Sequence, residues 1–162
     1  MLSFQSHYTL CVTLVISGYS GCGKTTLVNS IFESVEAAGG YVISKKMDAI
    51  SSTSPLSVVI SAFNDLCLQL ARRSSPQELH IIYQSLLTEF GVNFHMLASA
   101  LPNVASMLSS GGSAPVTVKD ANNLANYSSL CFTIQRFMRV VSSPDRPVVM
   151  FLDDLQWGDR TS

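Results

Sequence analysis

Residues 18–25 read Gly-Tyr-Ser-Gly-Cys-Gly-Lys-Thr, and no other stretch of the chain restricts its fold so tightly. The spacing G-x-x-x-x-G-K-[ST] is what a backbone needs to wrap a polyphosphate. Successive N–H groups must point at the anion. Glycines permit the required dihedrals and let the main chain approach the oxygens. A helix opening at Lys24 would aim the positive end of its dipole at the same charge. Lys24 would add a point charge at the β- and γ-phosphates, Thr25 a hydroxyl for Mg²⁺, and Thr26 a contact to the α-phosphate. The candidate nucleotide-binding set is therefore Gly18, Tyr19, Ser20, Gly21, Cys22, Gly23, Lys24, Thr25 and Thr26.

The flanking sequence agrees with such a loop. Thr9 to Ser17 is β-branched and nearly continuously apolar, which predicts a strand buried on both faces. Lys24 to Ala38 has helix-forming composition, and Gly39-Gly40 stops it. Tyr41 to Lys46 is a second strand candidate. Strand, glycine-rich turn, helix and strand make a βαβ unit over residues 9–46.

A second element lies near the other end. Val148-Val149-Met150-Phe151-Leu152-Asp153-Asp154 is an apolar strand ending in two carboxylates. In open α/β sheets ligands bind at the carboxyl ends of the strands, so these acids are expected beside the phosphate loop. Asp153 is the candidate Mg²⁺ ligand with Thr25, reaching the ion directly or through water. Asp154 is placed to orient or deprotonate the attacking water, which makes Lys24 and Asp154 the catalytic candidates. Guanine-specific proteins of this kind use [NT]-K-x-D downstream of the acidic strand, whereas this chain has Lys45-Lys46-Met47-Asp48 upstream of it, with Lys in the first position. Lys46 and Asp48 read as loop residues, and ATP is favoured over GTP.

Between these elements, Met47 to Pro147 is far longer than an ordinary crossover, so a helical insertion of three or four helices is expected. Ser54-Pro55 reads as a helix start, with Leu56, Val59, Ile60, Phe63, Leu66, Cys67 and Leu70 on one stripe. Ser75-Pro76-Gln77-Glu78 is a capping box that opens a helix with Leu79, Ile82, Tyr83, Leu86 and Phe90 on one face. Phe94 to Leu101 suits a short helix before Pro102. Ser109 to Pro115 reads as a linker. Asp120 is a candidate cap for a long helix carrying Leu124, Tyr127, Leu130, Cys131, Ile134, Phe137, Met138 and Val141. Ser142 to Pro147 is a turn.

Composition narrows the function classes. The 162 residues suffice for one domain. With 47% hydrophobic residues, 13% charged residues and a net charge of -1, the chain is neither a disordered tail nor a basic nucleic-acid or membrane-surface binder. A mean hydropathy of +0.30 suits a piece whose apolar faces meet a partner or more of its own chain. Cys11, Cys22, Cys67 and Cys131 form no CxxC pair and read as reduced thiols; His7, His80 and His95 lack metal-ligand spacing. No signal peptide or membrane span is legible, so a cytoplasmic setting is expected.

Taken with its motifs, the chain resembles the AAA-type ATPase domain of large signalling proteins, in the origin-recognition-complex-like group of STAND P-loop NTPases. The resemblance is carried by Ser17 to Thr25, by Lys46-Met47-Asp48, by Ser61-Ala62-Phe63-Asn64-Asp65-Leu66, and by Phe151-Leu152-Asp153-Asp154-Leu155-Gln156-Trp157-Gly158-Asp159. It implies a three-layer αβα P-loop fold with a mainly parallel sheet. It also implies an Mg²⁺–ATP switch attached to other domains of a longer signalling protein. The family's sensor strand, arginine finger and lid have no counterpart in residues 1–162, so one incomplete domain is expected: a Walker A unit at 9–46, the insertion at 47–147, and the Walker B strand with its loop at 148–162. Slow ATP hydrolysis is the leading functional expectation. The alternatives are a non-catalytic, nucleotide-gated interaction module and a small-molecule P-loop kinase, though the latter's arginine-rich lid is not visible.

Overall fold

The computed structural model describes residues 12–47, 55–109 and 127–157. Two strands, β1 (Tyr41–Lys46) and β2 (Val148–Asp153), pair in parallel with Tyr41 opposite Val148 and Lys46 opposite Asp153. They stand far apart in sequence, so the helical insertion is the crossover between them. The ladder continues at both ends, where the Tyr41 amide donates to the Pro147 carbonyl (2.8 Å) and the Met47 amide to the Asp153 carbonyl (3.0 Å).

Side-chain alternation places helices on both faces of the strand pair. Tyr41, Ile43, Val148 and Met150 share one face and pack into the main apolar core. Phe151 points the other way and meets Phe32 of α1 (Lys24–Ala37) edge to face, with centroids 5.9 Å apart. The layers are therefore α1, sheet and helical insertion, a mixed α/β arrangement with a parallel sheet.

The insertion holds five helices among the described residues rather than three or four: α2 (Pro55–Arg73), α3 (Pro76–Phe90), α4 (Phe94–Ala100), α5 (Val104–Ser109) and α6 (Tyr127–Val141). The extra one, α5, is too short to show a periodic stripe, yet Val104 and Met107 are buried in the core. The stripes predicted on α2, α3 and α6 supply most of the interior, including Phe63, Leu66, Leu70, Ile82, Leu86, Leu130 and Phe137. Cys131, expected on the α6 stripe, is exposed instead. The capping box at Ser75 forms in full: the Glu78 amide donates to Ser75 Oγ (3.3 Å) and the Ser75 amide to Glu78 Oε2 (2.7 Å). The proposed caps at Ser54 and Asp120, and Leu124, lie outside the described residues, as does nearly all of the 109–115 linker.

Polar ties lock the insertion to the sheet. Gln69 Nε2 donates to the Val42 carbonyl (2.8 Å), and Lys45 pairs with Asp65 at 2.6 Å. Asn64 accepts the Asn103 amide (2.9 Å), and Arg136 binds Glu89 (2.9 Å) while stacking on Phe90. The Ser61–Leu66 motif thus divides its work: Ala62, Phe63 and Leu66 fill the core, while Asn64 and Asp65 fasten α2 to its neighbours.

One expectation is corrected. The strand predicted over Thr9–Ser17 is not present in its described part: residues 12–17 carry no regular structure, and Val12, Leu14 and Val15 are exposed. A strand exists only through ladder hydrogen bonds to a neighbour. Among the described residues the sheet consists of β1 and β2 alone; each keeps one open edge, and residues 12–17 pair with neither.

Candidate functional site

The glycine-rich turn ends where α1 begins. Gly21 (φ 80°) and Gly23 (φ 89°) are in the left-handed region, where a Cβ is strained, and Gly23 is the N-cap of α1. At Gly18 a Cβ would lie 2.7 Å from Cys22 Sγ, so a side chain there would displace the Cys22 thiol. The first α1 bond of the ladder runs from the Leu27 amide to the Gly23 carbonyl (3.0 Å), so the amides of Lys24, Thr25 and Thr26 lie outside it. Thr25 and Thr26 are exposed.

Lys24 closes the loop. Its ammonium donates to the Gly18 carbonyl (2.8 Å) and the Tyr19 carbonyl (2.9 Å), and lies 3.9 Å from Cys22 Sγ. The side chain thus bridges the start of the turn to the first helical residue. Tyr19 is 92% exposed.

The acidic pair sits at the C-terminal end of β2. Asp153 is the last strand residue, and its Oδ1 accepts the Asp154 amide (2.9 Å). Asp154 takes a left-handed conformation (φ 56°) that turns the chain into a 3₁₀ turn at Leu155–Trp157. Its two carboxylate oxygens are both engaged: Lys46 Nζ lies 3.1 Å from Oδ2, and Gln156 Nε2 donates to Oδ1 (3.1 Å). These bonds, the Lys46 contact foremost, hold the Asp154 carboxyl below its ordinary value, and the positive charge of Lys24 acts in the same direction.

The Phe32–Phe151 contact ties α1 to the acidic strand. It docks α1 on the strand that carries Asp153, so the helix bearing Lys24, Thr25 and Thr26 rests on the strand bearing the acids. For a divalent cation, the hydroxyl of Thr25 and the carboxylate of Asp153 are the hard oxygen donors that Mg²⁺ takes. No group of three or more His, Cys, Asp or Glu among the described residues could hold a metal alone. A cation here would complete its shell with phosphate oxygens and water.

Lys46 closes the strand predicted over Tyr41–Lys46, whereas the comparison with the guanine motif read it as a loop residue; it is the last residue of β1, and its partnership with Asp154 was not anticipated. Its position follows from the register, which pairs it with Asp153 from the opposite end of the chain. Asp48 and Asp159 lie outside the described residues.

A family model described as "AAA ATPase domain" matches residues 6–162. The chain belongs to the AAA ATPase domain family. A curated relative is "Hybrid signal transduction histidine kinase G" of Dictyostelium discoideum, 30% identical over 149 residues. The match covers 92% of this chain and 4% of that protein. No solved structure gives a significant match. Family membership makes this a nucleotide-binding module of the P-loop class. Among the described residues no helix is long and apolar enough to cross a membrane.

Proposed function

We propose that the module binds ATP with Mg²⁺ and hydrolyses it slowly, as a switch within a longer signalling protein of the origin-recognition-complex-like STAND type. The observation that carries this reading is the contact of Phe32 with Phe151, which packs the helix that follows the glycine-rich turn on the strand that ends in Asp153. In this reading the backbone from Gly18 to Thr26 and the ammonium of Lys24 hold the phosphates. Thr25 and Asp153 hold the metal, which when bound neutralises charge on the β- and γ-phosphates. Asp154 orients the attacking water. Catalysis is positioning and electrostatic stabilisation, which suits slow turnover and switching. The signalling setting is supported by the likeness to a small portion of a hybrid histidine kinase.

Fluorescence titration with ATP, with and without Mg²⁺, tests binding. Asp154→Asn should lower kcat by roughly a hundredfold or more while leaving ATP affinity near wild type, since removing a positioned base costs about 10²–10⁴. Wild-type turnover no faster than that of the Asn variant would sink the enzyme reading and leave the binding one. A nucleotide-gated interaction module is the second reading, favoured by the engagement of both Asp154 oxygens.

A further inference from the structure

A parallel ladder draws on the main-chain groups of alternate residues. The Tyr41 amide donates to the Pro147 carbonyl and the Met47 amide to the Asp153 carbonyl, so the odd-numbered residues of β1 face β2. The amides and carbonyls of Val42, Ser44 and Lys46 therefore point the other way, along the edge where the described residues hold no strand. Such an edge is a template for another chain. Its two halves differ. Lys45 and Lys46 place charge at the carboxyl end, whereas Tyr41, Val42 and Ile43 are aromatic or β-branched, the composition that favours pairing.

Gln69 of α2 meets the edge in its apolar half, where Nε2 donates to the Val42 carbonyl at 2.8 Å. That carbonyl faces away from β2, so the side-chain amide reaches it from the open side. It stands where the N–H of an added strand would stand. Asp65, one turn earlier on α2, pairs with Lys45, and this second tie delivers Gln69 to a fixed place along the strand. Holding β1 in the sheet does not require the Gln69 bond. The ladder to β2 and the burial of Tyr41 and Ile43 already do that.

We propose that Gln69 guards the outer edge of β1, and that the partner it excludes is a second copy of this chain pairing through the same edge. Two copies carry identical edges. A two-fold axis through Ser44 sets Val42 of one copy opposite Lys46 of the other, an isologous antiparallel pairing that uses the outward groups of both strands. That pairing needs the Val42 carbonyl as an acceptor, and Gln69 occupies it. The edge is protected in two ways: a side-chain amide covers the apolar half, and lysine charge covers the other.

Sedimentation velocity of the intact chain, with circular dichroism to report folding, tests the guard. Gln69→Leu removes the donor at similar side-chain size and should raise the mass about twofold over wild type. Hydrogen exchange at the Ser44 amide, which faces the open edge, should slow in the associated form. Gln69→Lys keeps a donor and adds charge, so it should sediment as wild type does. Ser44→Pro removes an N–H that β2 does not use but an added strand requires. The Gln69→Leu, Ser44→Pro double variant should therefore return to the wild-type mass. A Gln69→Leu protein of wild-type mass overturns the proposal. An increase that persists with Ser44→Pro also overturns it, because association then runs through another surface. If the Leu or Pro variant misfolds, Gln69→Met and Ser44→Lys give the same comparison, since lysines at Ser44 would face each other across the two-fold axis.

Discussion

In the helical insertion, Leu66, Leu70, Leu86 and Phe137 are all 0% exposed. Around the phosphate loop, Val12 is 75% and Tyr19 92% exposed, and the loop is held by Lys24 and a few backbone bonds. The insertion derives its order from apolar burial, which is roughly proportional to area and needs no ligand. The loop derives its order from glycine dihedrals and from one ammonium folded over carbonyls, and its remaining hydrogen-bonding capacity is suited to an anion. Under the proposed function the loop keeps donors in reserve for a triphosphate, whereas the insertion, which must stay folded, has buried its apolar faces.

That contrast can be broken by experiment, beginning with the largest effect. Phe137→Ala should cost about 3–5 kcal/mol of stability through lost transfer energy and a cavity, read as a drop in urea midpoint. In the loop, Lys24→Ala should weaken ATP binding by roughly tenfold to a hundredfold, the worth of hydrogen bonds to charged groups, with an almost unchanged urea midpoint. If Lys24→Ala unfolds the protein, the loop carries more of the fold than its exposure indicates.

Thiol chemistry sharpens the same comparison. Cys67 is buried, and burial pushes its thiol up to about 12, so little thiolate exists at neutral pH. Cys22 is exposed on the loop. Mass spectrometry after brief iodoacetamide treatment should find Cys22 modified and Cys67 protected until denaturant is added. Protection of Cys22 by ATP would place the nucleotide over the loop. Labelling of native Cys67 would mean that the insertion opens far more readily than its packing implies.

The smallest effects belong to the α3 cap. Ser75→Ala should cost about 1 kcal/mol. Hydrogen bonds from the Ser75 amide and then its hydroxyl hold the Glu78 carboxyl below its ordinary 4.5, with Arg146 adding to the shift. Because the folded value is depressed, the stabilisation is present above the unfolded value and is lost as pH falls through the folded one. Thermal melts from pH 6 to pH 3 should therefore show a shallower acid loss for Glu78→Gln than for wild type.

Much of the insertion was legible because its signals are local. Helical stripes such as Leu79, Ile82, Leu86 and Phe90 repeat within one element, and the Ser75–Glu78 cap spans four residues. The α5 helix was not legible, since six residues are too few to show a period. The 12–17 segment misled for the opposite reason: its β-branched composition states a preference, but a strand needs an edge that composition does not provide. At the site, the glycine-rich loop and the acids at 153–154 could be read directly, but Lys46 could not.

The sequence alone determined the glycine-rich turn and helix start at 18–26, the apolar strand with two acids at its end, and the main helical faces. Each depends on residues close together in the chain, where spacing dictates geometry. Only the tertiary structure decided that Lys46 stands beside Asp154, that Lys45 instead serves α2, and that α1 rests on β2 through Phe32 and Phe151. Those contacts follow from the parallel register of strands separated by the entire insertion, and register is fixed by packing on both faces of the sheet rather than by any local run of residues.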